Sequence, residues 1–171
     1  MSSQIVPLGE YLGDLLRCVG HVELEPVRRF VVADHYRVGN RVGRRWLNSI
    51  SLNFETQFGH VVEEDVPART VHIWELMKDA RGVAVMETLD RGVVDNPDTQ
   101  TYLAHMFQLI VLSEKSLCHM GKYVNFSCKY STTDGQFWMP LWGVGDTIVE
   151  VGATVSSHPN NWGRHTRVSS G

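Results

Sequence analysis

At 171 residues, 43% hydrophobic and 20% charged, the chain has the size and composition of one globular domain that can bury a core without staples. Those totals exclude a long disordered tract, no window holds the roughly 20 apolar residues of a membrane span, and the net charge of −3 argues against a general nucleic-acid binder. Met1 to Leu16 lacks the basic start and apolar run of a signal peptide, so a cytoplasmic protein is expected.

Three cysteines, Cys18, Cys118 and Cys128, are an odd number at irregular spacing and suggest neither a disulfide framework nor a CxxC metal site. Charge is unevenly spread. Residues 46 to 100 carry ten acids against four bases, whereas Arg28, Arg29, Arg37, Arg41, Arg44 and Arg45 face only Asp34 between 28 and 45.

In chain order, apolar residues at 8, 11, 12, 15, 16 and 19 predict an amphipathic helix over about 5–19, with Pro7 in its first turn, Gly20 at its end, and Gly9 and Gly13 weakening it. Phe30, Val32, Tyr36 and Val38 predict a strand, and Gly39-Asn40 and Gly43 a turn. Ile50, Leu52, Phe54 and Phe58 alternate with polar residues and predict a second strand, wet on one face. Glu63-Glu64-Asp65 reads as a solvated acidic turn and helix entry, because Asp65 can cap and Pro67 sits just inside. Thr70 to Leu76 fits either period and is assigned to helix; Val83, Met86 and Leu89 continue a helical pattern after Gly82.

A long buried helix near residues 97–118 then dominates. Asn96-Pro97-Asp98 supplies its start, Gly121 its end, and Tyr102, Leu103, Met106, Phe107, Leu109, Ile110, Val111, Leu112 and Leu117 cover over half its circumference. A three-strand antiparallel meander follows to Val155, turned by Asp134-Gly135 and again at Gly143 to Asp146. The polar tail 156–171 carries Trp162 as an anchor. The expected fold is therefore one α+β domain over 1–171, an antiparallel sheet of about four to six strands packed on the long helix.

The middle strand of the meander holds a conflict. Phe137, Met139 and Leu141 make one face apolar and Trp138, Trp142 and Val144 the other, the mark of a central strand; Pro140 lacks a ladder N–H and belongs on an edge or bulge. An edge strand whose second face is covered reconciles the two. The cover is either the N-terminal helix or tail, or a partner meeting Trp138, Trp142, Pro140, Trp162 and Tyr123.

No motif names a chemistry. GxxxxGK and GxGxxG are absent, and the arginine group, a candidate phosphate seat, has only Tyr36 and Trp46 as interleaved aromatics, with Trp138 a further stacking platform. His72, His105, His119, His158 and His165 show no HExxH or ligand spacing, and Cys118 beside His119 would point about 100° apart on a helix. No catalytic residue, metal or cofactor is assigned.

The order helix, glycine, strand, Asp-Gly turn, strand, turn, strand over Pro97 to Val155 resembles the C-terminal half of PAS-type sensor domains. The resemblance implies a pocket for a small molecule or protein lined by Phe107, Val124, Phe126, Trp138 and Val149. A cone-shaped α+β barrel of the nuclear-transport-factor-like type is similar too, and neither analogy fixes function. The leading expectation is a non-enzymatic binding or interaction protein, self-associating or part of a larger assembly, of the bacterial or phage accessory kind. The alternatives are a PAS-like small-molecule sensing module and a small phosphate- or nucleotide-binding protein or enzyme built on the Arg28 to Arg45 group.

Overall fold

The computed structural model describes residues 6–90, 101–113, 124–127, 138–155, 157–158 and 162–170. In chain order these form β1 (Tyr11–Leu12), β2 (Leu16–Leu24), β3 (Val27–Val31), α1 (Val32–His35), β4 (Arg41–Val42), β5 (Arg45–Ile50), α2 (Leu52–Phe58), β6 (Val62–Val66) and β7 (Arg69–Leu76). There follow α3 (Gly82–Asp90), α4 (Leu103–Ser113), β8 (Val124–Ser127), β9 (Trp138–Val144), β10 (Ile148–Val155) and β11 (Arg167–Ser170). Nine strands join one sheet in the order β1-β2-β7-β11-β8-β9-β10-β5-β4, and β3 pairs with β6 in a separate ribbon.

This overturns the expected fold. The sheet has nine strands, not four to six, and it is mixed, because β11 runs parallel to β8 and β10 parallel to β5. The sheet, not a helix, is the organising element. The described part of the long helix is the eleven residues of α4; the predicted start at Asn96 to Asp98 and the end at Gly121 lie outside the described residues. A nine-stranded mixed sheet also departs from the PAS and nuclear-transport-factor-like layouts.

Each misread segment has a local reason. The residues expected as an N-terminal helix make a hairpin, with Tyr11 opposite Arg17 and Leu12 opposite Leu16. Gly9 and Gly13 take φ of +83° and +57°, turn conformations that cost glycine little and end any helix. A bulge at Val19 shifts the register of β2 on β7 between Cys18 and Gly20. Leu16 and Cys18 therefore enter one core while Val22 and Leu24, of the same parity, enter the other. That change of face destroys the period-two signal.

Ile50 to Phe58 alternates like a strand, but only Ile50 ends one; Leu52–Phe58 folds as α2, because Ser51 caps it by accepting a hydrogen bond from the Phe54 amide at 3.2 Å. Phe54, Gln57 and Phe58 are then its buried face. Thr70 to Leu76, assigned to helix, is strand β7, buried without a break from Val71 to Leu76. Lying between β2 and β11 with both faces covered, it has no wet side to supply a period. The helix expected after Gly82 is present as α3. The Glu63 turn is strand β6. Buried Glu63 accepts the Leu103 and Ala104 amides at 2.9 Å each, capping α4 from a distant strand.

The sheet is the middle layer of two cores. On one face Val71, Ile73, Trp142, Val144, Val149 and Val151 meet α4, α2 and the β3–β6 ribbon. On the other, Leu16, Cys18, Trp74, Leu76, Met139 and Val168 meet α3 and Trp162. The meander β8–β9–β10 is antiparallel throughout; its Asp134-Gly135 turn lies outside the described residues. Strand β9 is apolar on both faces, as its residues indicate, yet it is no edge, since it lies between β8 and β10. Pro140 pairs with Ala153 of β10, and the β8–β9 register ends at Phe126 with Leu141, one residue before the proline.

The tail holds the largest surprise. Trp162 does anchor it, stacking on Phe126 with ring centroids 3.7 Å apart. Beyond it, however, the polar-looking residues Arg167–Ser170 form β11, inserted between β7 and β8 with Val168, Ser169 and Ser170 buried.

Candidate functional site

The residues expected to meet a partner are mostly internal. Trp142 is fully buried, Pro140 and Trp162 are buried, and Trp138 is half-buried against the α4-side core; Tyr123 lies outside the described residues. Intramolecular cover supplies what the sequence left open, though it comes from helices and the β3–β6 ribbon on one side and α3 on the other. Phe126 faces the core opposite to that of Phe107, Trp138 and Val149, so these four of the residues implied by the PAS resemblance line no common pocket.

The six arginines do not converge. Arg28 is exposed on β3, and its neighbour Arg29 pairs with Glu64 across the ribbon at 3.1 Å. Arg45 donates through Nε to the Gly145 carbonyl at 2.8 Å and through Nη1 to Ser113 Oγ at 3.3 Å. Arg37, Arg41 and Arg44 are exposed near the open end of the sheet. There the two-residue strand β4 has β5 as its single neighbour among the described residues.

Two features flank this edge. On one face Arg41, Trp46 and Ile148 follow each other across β4, β5 and β10. The Arg41 guanidinium carbon sits 4.6 Å from the Trp46 ring centroid, a cation–π contact, although Trp46 is 49% exposed. The opposite face, where Leu47 points inward, opens beside α1 and α2 into a cleft of about 630 Å³ lined by Tyr36, Arg37, Val38, Ile50, Phe54 and Glu55 among others. Its floor is rigid. The Tyr36 hydroxyl donates to the Leu103 carbonyl at 2.9 Å, and its ring packs against Phe30, Phe54 and Phe107. Burial, reinforced by the Glu63 charge, pushes the Tyr36 hydroxyl pKa well above the ordinary phenol range.

A second constellation was not foreseen. Arg17 on β2, Glu75 on β7 and Arg167 on β11 are successive register partners across the sheet. Glu75 Oε2 accepts from Arg17 Nη2 at 3.3 Å and lies 2.7 Å from Arg167 Nη1; Oε1 lies 2.5 Å from His165 Nδ1. Burial alone would raise the Glu75 pKa, but the hydrogen bonds from His165 and Arg167, the Arg167 charge and the Arg17 hydrogen bond bring it down to about 2. His165 itself has φ of +72°, the left-handed region that a non-glycine residue rarely occupies. The signal available in the sequence was Glu75 inside the mostly apolar run Val71 to Leu76: a charge on a buried strand requires partners.

Because the folded pKa of Glu75 is depressed, its contribution to stability is present above the ordinary carboxylate pKa of 4.5 and is lost as pH falls toward about 2. Urea midpoints measured across that window should fall steeply for the parent chain and more gently for Glu75→Gln. Parallel slopes would show that Glu75 is not held in this way.

The histidines do not form a metal centre in the described residues, where no three His, Cys, Asp or Glu side chains come together. His72 is buried, with Nε2 accepting the Val6 amide at 3.1 Å, and His105 is buried on α4. Burial lowers both pKa values. Cys18 is buried and its thiol pKa is raised chiefly by burial, so it is poorly suited to act as a nucleophile; Cys118, His119 and Cys128 lie outside the described residues. No described helix is long and apolar enough to cross a membrane. Comparison with protein-family models, curated proteins and solved structures gives no match to this chain.

Proposed function

We propose that the chain is a non-enzymatic binding protein whose partner is an extended, acidic segment of another protein, added as a further strand to edge β4. The observation that carries this reading is the exposed Trp46, held under Arg41 at the open end of the sheet. Tryptophan and arginine are the residues that most often dominate binding energy at interfaces. An added strand points successive side chains to opposite faces. Alternate residues would thus meet the Arg41–Trp46–Ile148 ridge and the cleft beside Tyr36 and Val38.

Charge selects the occupant. Arg37, Arg41 and Arg44 surround the edge, and Glu55 is the single acid among the cleft-lining residues. A second copy paired edge to edge about a two-fold axis would set arginine against arginine. The test uses two labelled decapeptides, alternating Glu-Leu and Lys-Leu, titrated by fluorescence anisotropy. The acidic peptide should bind and the basic one should not. Trp46→Ala should weaken binding about ten-fold, the usual scale for an interfacial anchor. Equal binding of both peptides, or no effect of Trp46→Ala, would refute the reading. A dimer mass by light scattering that Trp46→Ala abolishes would reassign the surface to a second copy.

A further inference from the structure

At the opposite end of the sheet order from β4, the Glu75 constellation carries more positive charge than its one carboxylate balances. Arg17 and Arg167 both contact Glu75, and His165 adds a further cation whenever it is protonated. Among the described residues Glu75 is the partner of both guanidinium groups, although each has five N–H donors in a rigid fork. The Nε atoms of both are shielded from solvent and have no acceptor among the described residues. A pair serving only to neutralise Glu75 would need one arginine. Here the acid is shared by three donors, and two of them lead outward: the Arg17 side chain is 40% exposed and that of His165 64%, above a carboxylate that is 8% exposed.

We propose that Arg17, His165 and Arg167 form a binding site for a phosphate group, with buried Glu75 as the fixed counter-charge that orients them. The two guanidinium forks match tetrahedral oxyanions, and their planar donors can serve Glu75 and a second acceptor together. Two guanidinium cations against one carboxylate leave a net positive charge that a phosphate oxyanion can neutralise. The left-handed backbone at His165 has the same logic. Strain of this kind persists where surrounding contacts over-determine a residue, and it concentrates at ligand clamps. The neighbouring Arg164 amide donates to Asp79 Oδ1 at 2.8 Å, tethering the residue next to His165.

The probe is inorganic phosphate, titrated against the full chain by thermal shift and by phosphorus-31 NMR line width, with sodium chloride at matched ionic strength as reference. Phosphate should raise the melting temperature saturably and broaden the phosphorus resonance. Arg17→Gln and His165→Ala alter the two more exposed side chains, so both variants should fold and lose at least ten-fold in apparent affinity. Arg28→Gln, at an exposed arginine on the β3–β6 ribbon, should respond like the parent. No saturable response in the parent, or an unchanged response in Arg17→Gln, would overturn the proposal. An equal response to acetate would overturn the assignment to phosphate in favour of a carboxylate.

Discussion

Removal of residues 167–171 is expected to unfold the protein. Strand β11 joins two parts of the sheet that otherwise do not touch edge to edge: β1, β2 and β7 on one side, β8, β9, β10, β5 and β4 on the other. It is matched through four residues with β7 and three with β8. Its side chains are tied in as well. Trp74 Nε1 donates to Ser170 Oγ at 2.9 Å, Ser169 Oγ to Ser127 Oγ at 3.0 Å, and Thr101 Oγ1 to the Ser169 carbonyl at 3.2 Å. At about 0.5–1.5 kcal/mol for each hydrogen bond and about 1.5–3 kcal/mol for burying Val168, these contacts amount to about 3–7 kcal/mol before the ladder bonds are added, comparable with the roughly 5 kcal/mol at the lower end of domain stability. The truncated chain should show collapsed amide dispersion and no cooperative thermal transition. Ser169→Pro, which removes a ladder N–H from a central strand, should act in the same direction. A truncated chain melting within a few degrees of the parent would show that β11 does not hold the two halves together.

Trp142→Ala is expected to cost about 3–5 kcal/mol, the range for truncating a large aromatic in a core that cannot close the void. The indole is 0% exposed, on the sheet face covered by α4 and α2. Trp142→Phe should cost far less. The indole Nε1 is buried without a hydrogen-bond partner among the described residues, and an unmet donor is itself unfavourable by about 1–3 kcal/mol. Trp46→Ala, at the exposed edge, should lie within about 0.5 kcal/mol of the parent. Denaturant midpoints for the three variants give the comparison. A Trp142→Ala variant as stable as Trp46→Ala would mean that the indole does not sit inside the subunit.

The two candidate sites differ in how visible they were. The arginine-rich stretch and Trp46 stand out in composition, and the edge site uses Arg37, Arg41 and Trp46 from that stretch. What could not be read there was the dispersal: Arg29 turns to Glu64 and Arg45 to Gly145, on elements far along the chain. The phosphate site was hidden altogether. Its members come from a segment expected as helix, a strand expected as helix and a tail expected as loop, and they meet only because β2, β7 and β11 lie side by side. At the expected partner surface the structure buries Trp142 inside the subunit and half-buries Trp138. Apolar residues on both faces did indicate burial, but the proline was given the weight of an edge, and β10 tolerates it.

By itself the sequence determined what had to be buried: the α4 segment, both faces of β9, the helix after Gly82 and the anchoring of Trp162. These are statements about local apolar content, which the hydrophobic effect converts directly into burial. The tertiary structure alone decided that Tyr11–Leu12, Leu16–Leu24 and Arg69–Leu76 are strands, that Leu52–Phe58 closes into a helix, and that a serine-bearing tail becomes a central strand of a mixed sheet. Strand pairing is satisfied by partners tens of residues away, and a strand covered on both faces, or switched between them by a bulge, leaves no periodic trace along the chain.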